Sequence, residues 1–127
     1  MVGVTYDTGA LIAADRGQRR MWALHAGFLA LECTPTVPAP VLAQAWRGGA
    51  RQALLARMLT ACSVEALTEQ QAWAVGVLAN ASGHHDVVDL AVTEGALRRG
   101  DLVVTADHGD IQAIADAVNR EVVIEPV

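Results

Sequence analysis

The chain contains no lysine; all nine of its basic residues are arginine. It is also poor in aromatic residues, with one tyrosine, one phenylalanine and three tryptophans, and it has only two cysteines. Each scarcity excludes something. Cys33 and Cys62 are too few and too far apart for a disulfide scaffold or a zinc knuckle, and both sit among apolar neighbours, so they are expected to be reduced core thiols of a cytoplasmic protein. No apolar run approaches the roughly 18 residues of a membrane span. The opening stretch MVGVTYDTGALIAAD has no basic segment ahead of its apolar residues and an aspartate inside them, which argues against a secretory signal. The formal net charge of −5 argues against a protein that coats nucleic acid by bulk positive charge.

What the chain does have is apolar substance. Its 127 residues are 53% hydrophobic, enough for one compact domain over residues 1–127 with a real core. Short β-branched runs alternate with helical patterns along the whole length. Strands are expected at 2–6, 34–37, 63–67, 102–105 and 122–124, with helices at 10–14, 18–31, 40–46, 51–61, 68 onward, 86–99 and 111–118. Thr68-Glu69-Gln70-Gln71 reads as a capping box in which Gln71 reaches back, and Gly100 reads as a helix C-terminal glycine. Such alternation implies an α/β fold, a three-layer α/β/α sandwich around a mostly parallel sheet of about five strands.

In a sheet of that kind, sites form at the carboxyl ends of the strands, where strand order reverses. Asp7 ends the first strand and Asp107 the fourth; Asp86 and Asp89 lie one turn apart at the start of the helix before it. Taken singly, Asp7, Asp86, and either Asp107 or Asp110 have an ordinary explanation as helix caps. Asp89 does not. It is surrounded by Val87, Val88, Leu90, Ala91 and Val92, the nearest arginines are two turns away, and a buried carboxylate without a partner is costly. Several gathered carboxylates also repel one another unless a divalent cation compensates them, and oxygen ligands favour a hard ion, Mg²⁺ or Mn²⁺. His84, His85 and His108 adjoin the acids, but no zinc-type spacing supports them as ligands, and they are expected at the surface or on the substrate side. The arginine clusters, Arg98-Arg99 among them, are expected to be solvated helix-surface residues.

In combination, the segments "TYDTGALIAADRG", "VPAPVLAQAWRGG", "DVVDLAV" and "LVVTADHGDI" resemble the PIN domain, specifically the VapC-type toxin ribonucleases of toxin–antitoxin pairs. Their order runs the full length of the chain, and the step from Asp89 to Asp107 fits the family's spacing. The resemblance implies a Mg²⁺- or Mn²⁺-dependent endoribonuclease acting on an RNA substrate. It assigns Asp7, Asp89 and Asp107 to catalysis and metal binding, with Asp110 and Asp86 as auxiliary acids. It also implies a cognate small antitoxin as partner and a homodimer, the helix with Trp22 and Phe28 and the one with Val41 and Trp46 being candidate surfaces. One position departs: the family commonly has a glutamate where "VLAQAW" places Gln44, which keeps an oxygen but loses the charge. That motivates an alternative, a catalytically weakened PIN-like domain serving as a binding or scaffold module. A phospho-receiver domain fails for want of its lysine, and no G-x-x-x-x-G-K or G-x-G-x-x-G occurs for a nucleotide binder.

Overall fold

In a computed structural model, which describes residues 2–127, the chain alternates as expected. The strands are β1 (Val4–Tyr6), β2 (Thr36–Pro38), β3 (Ser63–Glu65), β4 (Leu102–Thr105) and β5 (Ile124–Pro126). The helices are α1 (Thr8–Asp15), α2 (Arg19–Ala30), α3 (Ala39–Ala45), α4 (Ala53–Leu59), α5 (Glu69–Ser82), α6 (Val87–Arg99) and α7 (His108–Ala117), with a short 3₁₀ turn at Ala50–Gln52 ahead of α4. The five strands form one sheet, all parallel, in the order β3-β2-β1-β4-β5. The chain therefore builds outward from β1 to β3, then returns to lay β4 and β5 on the other side of β1. Right-handed crossovers put α1 to α4 on one face and α5 to α7 on the other, giving three layers. The packing agrees: α1 lies against α2, α3 and α4, while α5, α6 and α7 lie against one another.

The core follows from composition. Val4, Tyr6, Leu11, Met21, Val37, Val41, Leu55, Val103 and Val104 are buried around the sheet, and a smaller cluster of Val75, Leu78, Leu90, Ala91 and Ile114 fills the space between α5, α6 and α7. β1 is apolar on both sides because it is central. Its one polar side chain besides the Tyr6 hydroxyl is Thr5, and both are paired: Tyr6 with His25 Nδ1 at 2.8 Å, Thr5 with Asp101 at 2.8 Å. Cys33 is buried and Cys62 half-buried, both as free thiols.

Several boundaries differ from the sequence expectation, for identifiable reasons. α1 takes in Thr8 and Gly9 ahead of the expected 10–14, and Asp7 caps it by accepting the Thr8 N–H, the capping role open to it from sequence. The expected 51–61 helix is interrupted near Gln52, whose side-chain oxygen accepts the Arg47 and Gly48 N–H groups and whose amide donates to Ala45. Thr68 caps α5 as expected, but Gln71 does not reach back to it; the Gln71 amide lies against the Ala91 carbonyl of α6. α7 starts at His108, three residues earlier than expected, and β5 lies two residues later. Arg98 and Arg99 are not merely solvated. Arg99 bridges Glu65 at 2.6 Å and Asp101 at 2.9 Å and donates to Thr5, and Arg98 bridges Glu65 and Glu94. This network ties the C-terminal end of α6 to β1 and β3. Hydrogen bonds from both arginines outweigh the burial of Glu65 and hold its carboxyl below the usual range.

Gly9 has a positional role. A Cβ built on it would lie 2.6 Å from Ala106 Cβ and 2.9 Å from the Ala106 nitrogen. The absent side chain lets α1 press against the loop that follows β4. Helix propensity alone favours Gly9→Ala by about 1 kcal/mol. Overpacking against backbone costs about 1–3 kcal/mol and is expected to win. Urea unfolding of Gly9→Ala should therefore show a net loss of stability, and an unchanged or raised midpoint would show that the two segments are free to separate.

Candidate active site at the switch point of the sheet

Strand order reverses between β1 and β4, and the two loops leaving these strands carry Asp7 and Asp107. Asp7 is buried, and both of its oxygens are engaged: Oδ1 accepts the Thr8 N–H at 2.7 Å, and Oδ2 accepts the Thr105 hydroxyl at 2.7 Å. The Thr105 oxygen in turn accepts the Asp107 N–H at 2.9 Å. A carboxylate oxygen has two lone pairs, so Asp7 keeps ligand capacity on each. Thr8, next in sequence, donates its hydroxyl to Gln44 Oε1 at 2.6 Å, which brings the exposed Gln44 of α3 alongside the site.

From the opposite face, the N-terminal end of α6 contributes two acids. Asp86 is the N-cap and accepts the Val88 and Asp89 N–H groups. Asp89 occupies the third helical position and is half-buried, with 15% of its side chain exposed. Its expected want of a protein partner is corrected: His84 Nε2 lies 3.1 Å from Asp89 Oδ2. Ligand atoms of His84, Asp89 and Asp110 all fall within 4.8 Å of one another. His84, expected at the surface or on the substrate side, thus stands directly against Asp89. Sequence spacing hid it, because the turn from Ser82 to Asp86 folds the histidine back over the helix start.

The early start of α7 changes the relation between Asp107 and Asp110. Asp107 takes the N-cap position but makes no capping bond, and Asp110, placed in the first turn instead of capping, points into the group with Asp89. Asp107 is exposed beside it.

The electrostatics join all five acids. Burial pushes the Asp89 carboxyl up to about 6; the His84 hydrogen bond opposes this, and the charges of Asp86, Asp7 and Asp110 add to it. Burial raises Asp7 as well, with Asp86 contributing, against the hydrogen bonds of Thr105 and Thr8. The adjoining Asp110 carboxyl is the main cause that raises Asp107, and burial and the charge of Asp7 add to it. Asp7, Asp89 and Asp107, raised by burial and by neighbouring carboxyls, meet at a strand-end crevice where a divalent cation would offset the crowding of charge. The donors fit such an ion: carboxylate oxygens suit Mg²⁺ or Mn²⁺, and an imidazole beside them suits Mn²⁺ better than Mg²⁺.

Both apolar surfaces expected from sequence are open in part. Arg20, Ala23, Leu24, Gly27, Phe28 and Leu31 line a shallow groove of about 550 Å³ along α2. Val41 is wholly buried and belongs to the core, whereas Trp46 is partly exposed and, with Leu42, Ala56, Leu59 and Thr60, lines a second groove of about 400 Å³.

No known family's sequence pattern matches the chain, and no curated protein sequence matches it. A solved structure does. The chain superposes on one from the crystal structure of VapBC2 from Rickettsia felis bound to a DNA fragment from their promoter, with a TM-score of 0.73 and 16% identity, over 100% of this chain and 99% of that one. The two share one fold. It is the PIN-like α/β arrangement that the sequence resemblance implied, recovered here from backbone geometry at an identity too low to carry function with it.

The raised Asp89 makes a stability prediction. Its folded pKa of about 6 exceeds the ordinary carboxylate value, so the protonated form favours folding. That contribution is complete below about pH 4 and is lost as pH rises through about 6. With a chelator present, Asp89→Asn should raise the melting temperature by a few degrees at pH 7.5 and leave it nearly unchanged at pH 4. Equal effects at the two pH values would show that Asp89 is not electrostatically strained.

Proposed function

We propose that the chain is a VapC-type toxin, a single PIN-like domain that acts as a divalent-metal-dependent endoribonuclease in the cytoplasm. The observation that carries this reading is the grouping of Asp89, Asp110 and His84 at the strand-end crevice, with Asp7, Asp86 and Asp107 within electrostatic reach of it, in a fold shared with VapBC2. No helix among the described residues is long and apolar enough to cross a membrane.

In this reading Asp7, Asp89 and Asp107 would hold Mg²⁺ or Mn²⁺, with Asp110 beside Asp89 as an auxiliary acid. A cation held there would supply Lewis-acid chemistry, making a water more acidic and offsetting charge on the scissile phosphate. The protein's own part is positional. Thr105 and the Thr8 N–H fix the Asp7 carboxylate, His84 orients Asp89, and Asp86 anchors the helix start that presents it. Gln44, held by the Thr8 hydroxyl, supplies a neutral oxygen beside Asp7 where a glutamate would add a charge. The open α2 groove suits the apolar side chains of a small antitoxin, whose bound segment would lie close to the sheet face carrying α1. A homodimer is part of the same reading.

Asp7→Ala and Asp89→Asn should each abolish Mn²⁺-dependent cleavage of RNA by at least about 100-fold while the circular dichroism spectrum is retained. Calorimetry should show Mn²⁺ binding that both substitutions weaken. Acid-dependent Mn²⁺ binding without any cleavage would favour the alternative of a weakened binding module. Undiminished cleavage by Asp89→Asn would refute the assignment of the site.

A further inference from the structure

The arginines are not used evenly. Arg20, Arg98 and Arg99 are committed to carboxylates, and Arg47 and Arg120 donate to backbone carbonyls. Among the described residues, Arg16, Arg19, Arg51 and Arg57 make neither an ion pair nor a side-chain hydrogen bond. Arg16 and Arg19 occur at the turn from α1 to α2, Arg57 on α4, which packs against α1, and Arg51 in the 3₁₀ turn that leads into α4. Arg19 and Arg57 line a shallow groove of about 290 Å³ with Gly17, Trp22 and Leu54. Arg57 lies over the Trp22 ring at 5.8 Å, and Trp22 is itself fixed by its indole N–H to the Ala14 carbonyl. Arg51 precedes Leu54 by one turn. The acid adjoining them in sequence is Asp15, so this corner carries an excess of positive charge on a chain whose net charge is −5.

This corner is connected to the acidic centre. α1 leaves Asp7 and, over eight residues, rises about 12 Å towards Arg16. Its outward stripe runs from Thr8, beside the site, through the exposed Ile12 to Arg16, at i, i+4 and i+8. A strand whose scissile phosphate sits at the acids would reach the arginines within a few nucleotides along that stripe.

We propose that Arg16, Arg19, Arg51 and Arg57 form a second contact surface that holds the phosphate backbone of an RNA substrate and sets its direction across the acidic centre. This rests on the ribonuclease reading of that centre. Guanidinium forks match phosphate oxygens, and such contacts position a strand without reading its sequence. The acidic centre repels a polyanion, so a separate cationic corner supplies the attraction needed for productive approach.

Affinity of the intact protein for a fluorescent uridine 12-mer, measured by anisotropy in EDTA across a salt series, tests the surface without cleavage. Arg16→Ser with Arg19→Ser should weaken binding roughly 20-fold at about 0.1 M salt and lower the salt slope by about 1.4. Arg51→Ser alone should lower the slope by about half as much, and Arg120→Ser should do nothing. Unchanged affinity and slope in the first two variants, at unchanged melting temperature, would overturn the proposal. So would polyglutamate competing as well as polyuridylate at equal charge, which would mark the corner as a site for an acidic protein. Arginine-dependent binding by a protein that cuts no RNA would leave this surface standing and remove the ribonuclease reading. Metal-dependent cleavage with arginine-independent binding would do the reverse.

Discussion

The hydroxyl of Thr105 joins the two sides of the strand-order reversal. It donates to Asp7 at the end of β1 and accepts the Asp107 N–H at the end of β4, so neither loop can shift without breaking a buried hydrogen bond. The close approach of Gly9 to Ala106 presses the same two segments together from the helix side. With those loops fixed, the distance between Asp7 and the acids of α6 and α7 is set, and the charge crowding follows. Asp7 and Asp89 are raised first by burial, and the charges that the fold holds near them add to it.

α6 is the second determinant. Its C-terminal end is held by the Arg99 network to Thr5, Asp101 and Glu65, and its N-terminal end is capped by Asp86. A helix secured at both ends presents Asp89 at a defined depth, half-buried and facing His84 and Asp110. The arginines used for this are unavailable to a ligand. The arginines left over lie on the other side of the sheet, around the far end of α1. Most of the ion pairs thus gather at the C-terminal end of α6, while Arg16, Arg19, Arg51 and Arg57, which pair with no carboxylate, lie on the α1 side.

Much of the architecture was legible in the chain because it rests on local periodicity. The alternation of strands and helices, the Thr68 cap and the Gly100 terminus are decided within a few residues, and each is observed. Asp7 and Asp107 were placed at strand ends by that same alternation. What was not legible depends on contacts between distant segments or on a shift of a few residues. The start of α7 at His108 puts Asp110 inside the first turn and leaves Asp107 at the N-cap without a capping bond, so the two exchange the roles their order suggests. Gln71 was read as a local cap but is drawn to Ala91 on α6, twenty positions on. Arg99 looked solvated because its partners, Glu65 and Thr5, are far away in sequence.

By itself the sequence determined the class of fold and the supply of carboxylates: β-branched runs short enough for buried parallel strands, helices between them, and aspartates where strands end. Those are properties of neighbouring residues and their hydropathy. Tertiary structure alone decided which acids share one electrostatic field, that His84 stands against Asp89, that Gln44 is bound to Thr8, and which arginines are already committed. These depend on how side chains from separate layers meet, and desolvation and Coulomb energy at a few ångströms are set by that meeting rather than by order along the chain.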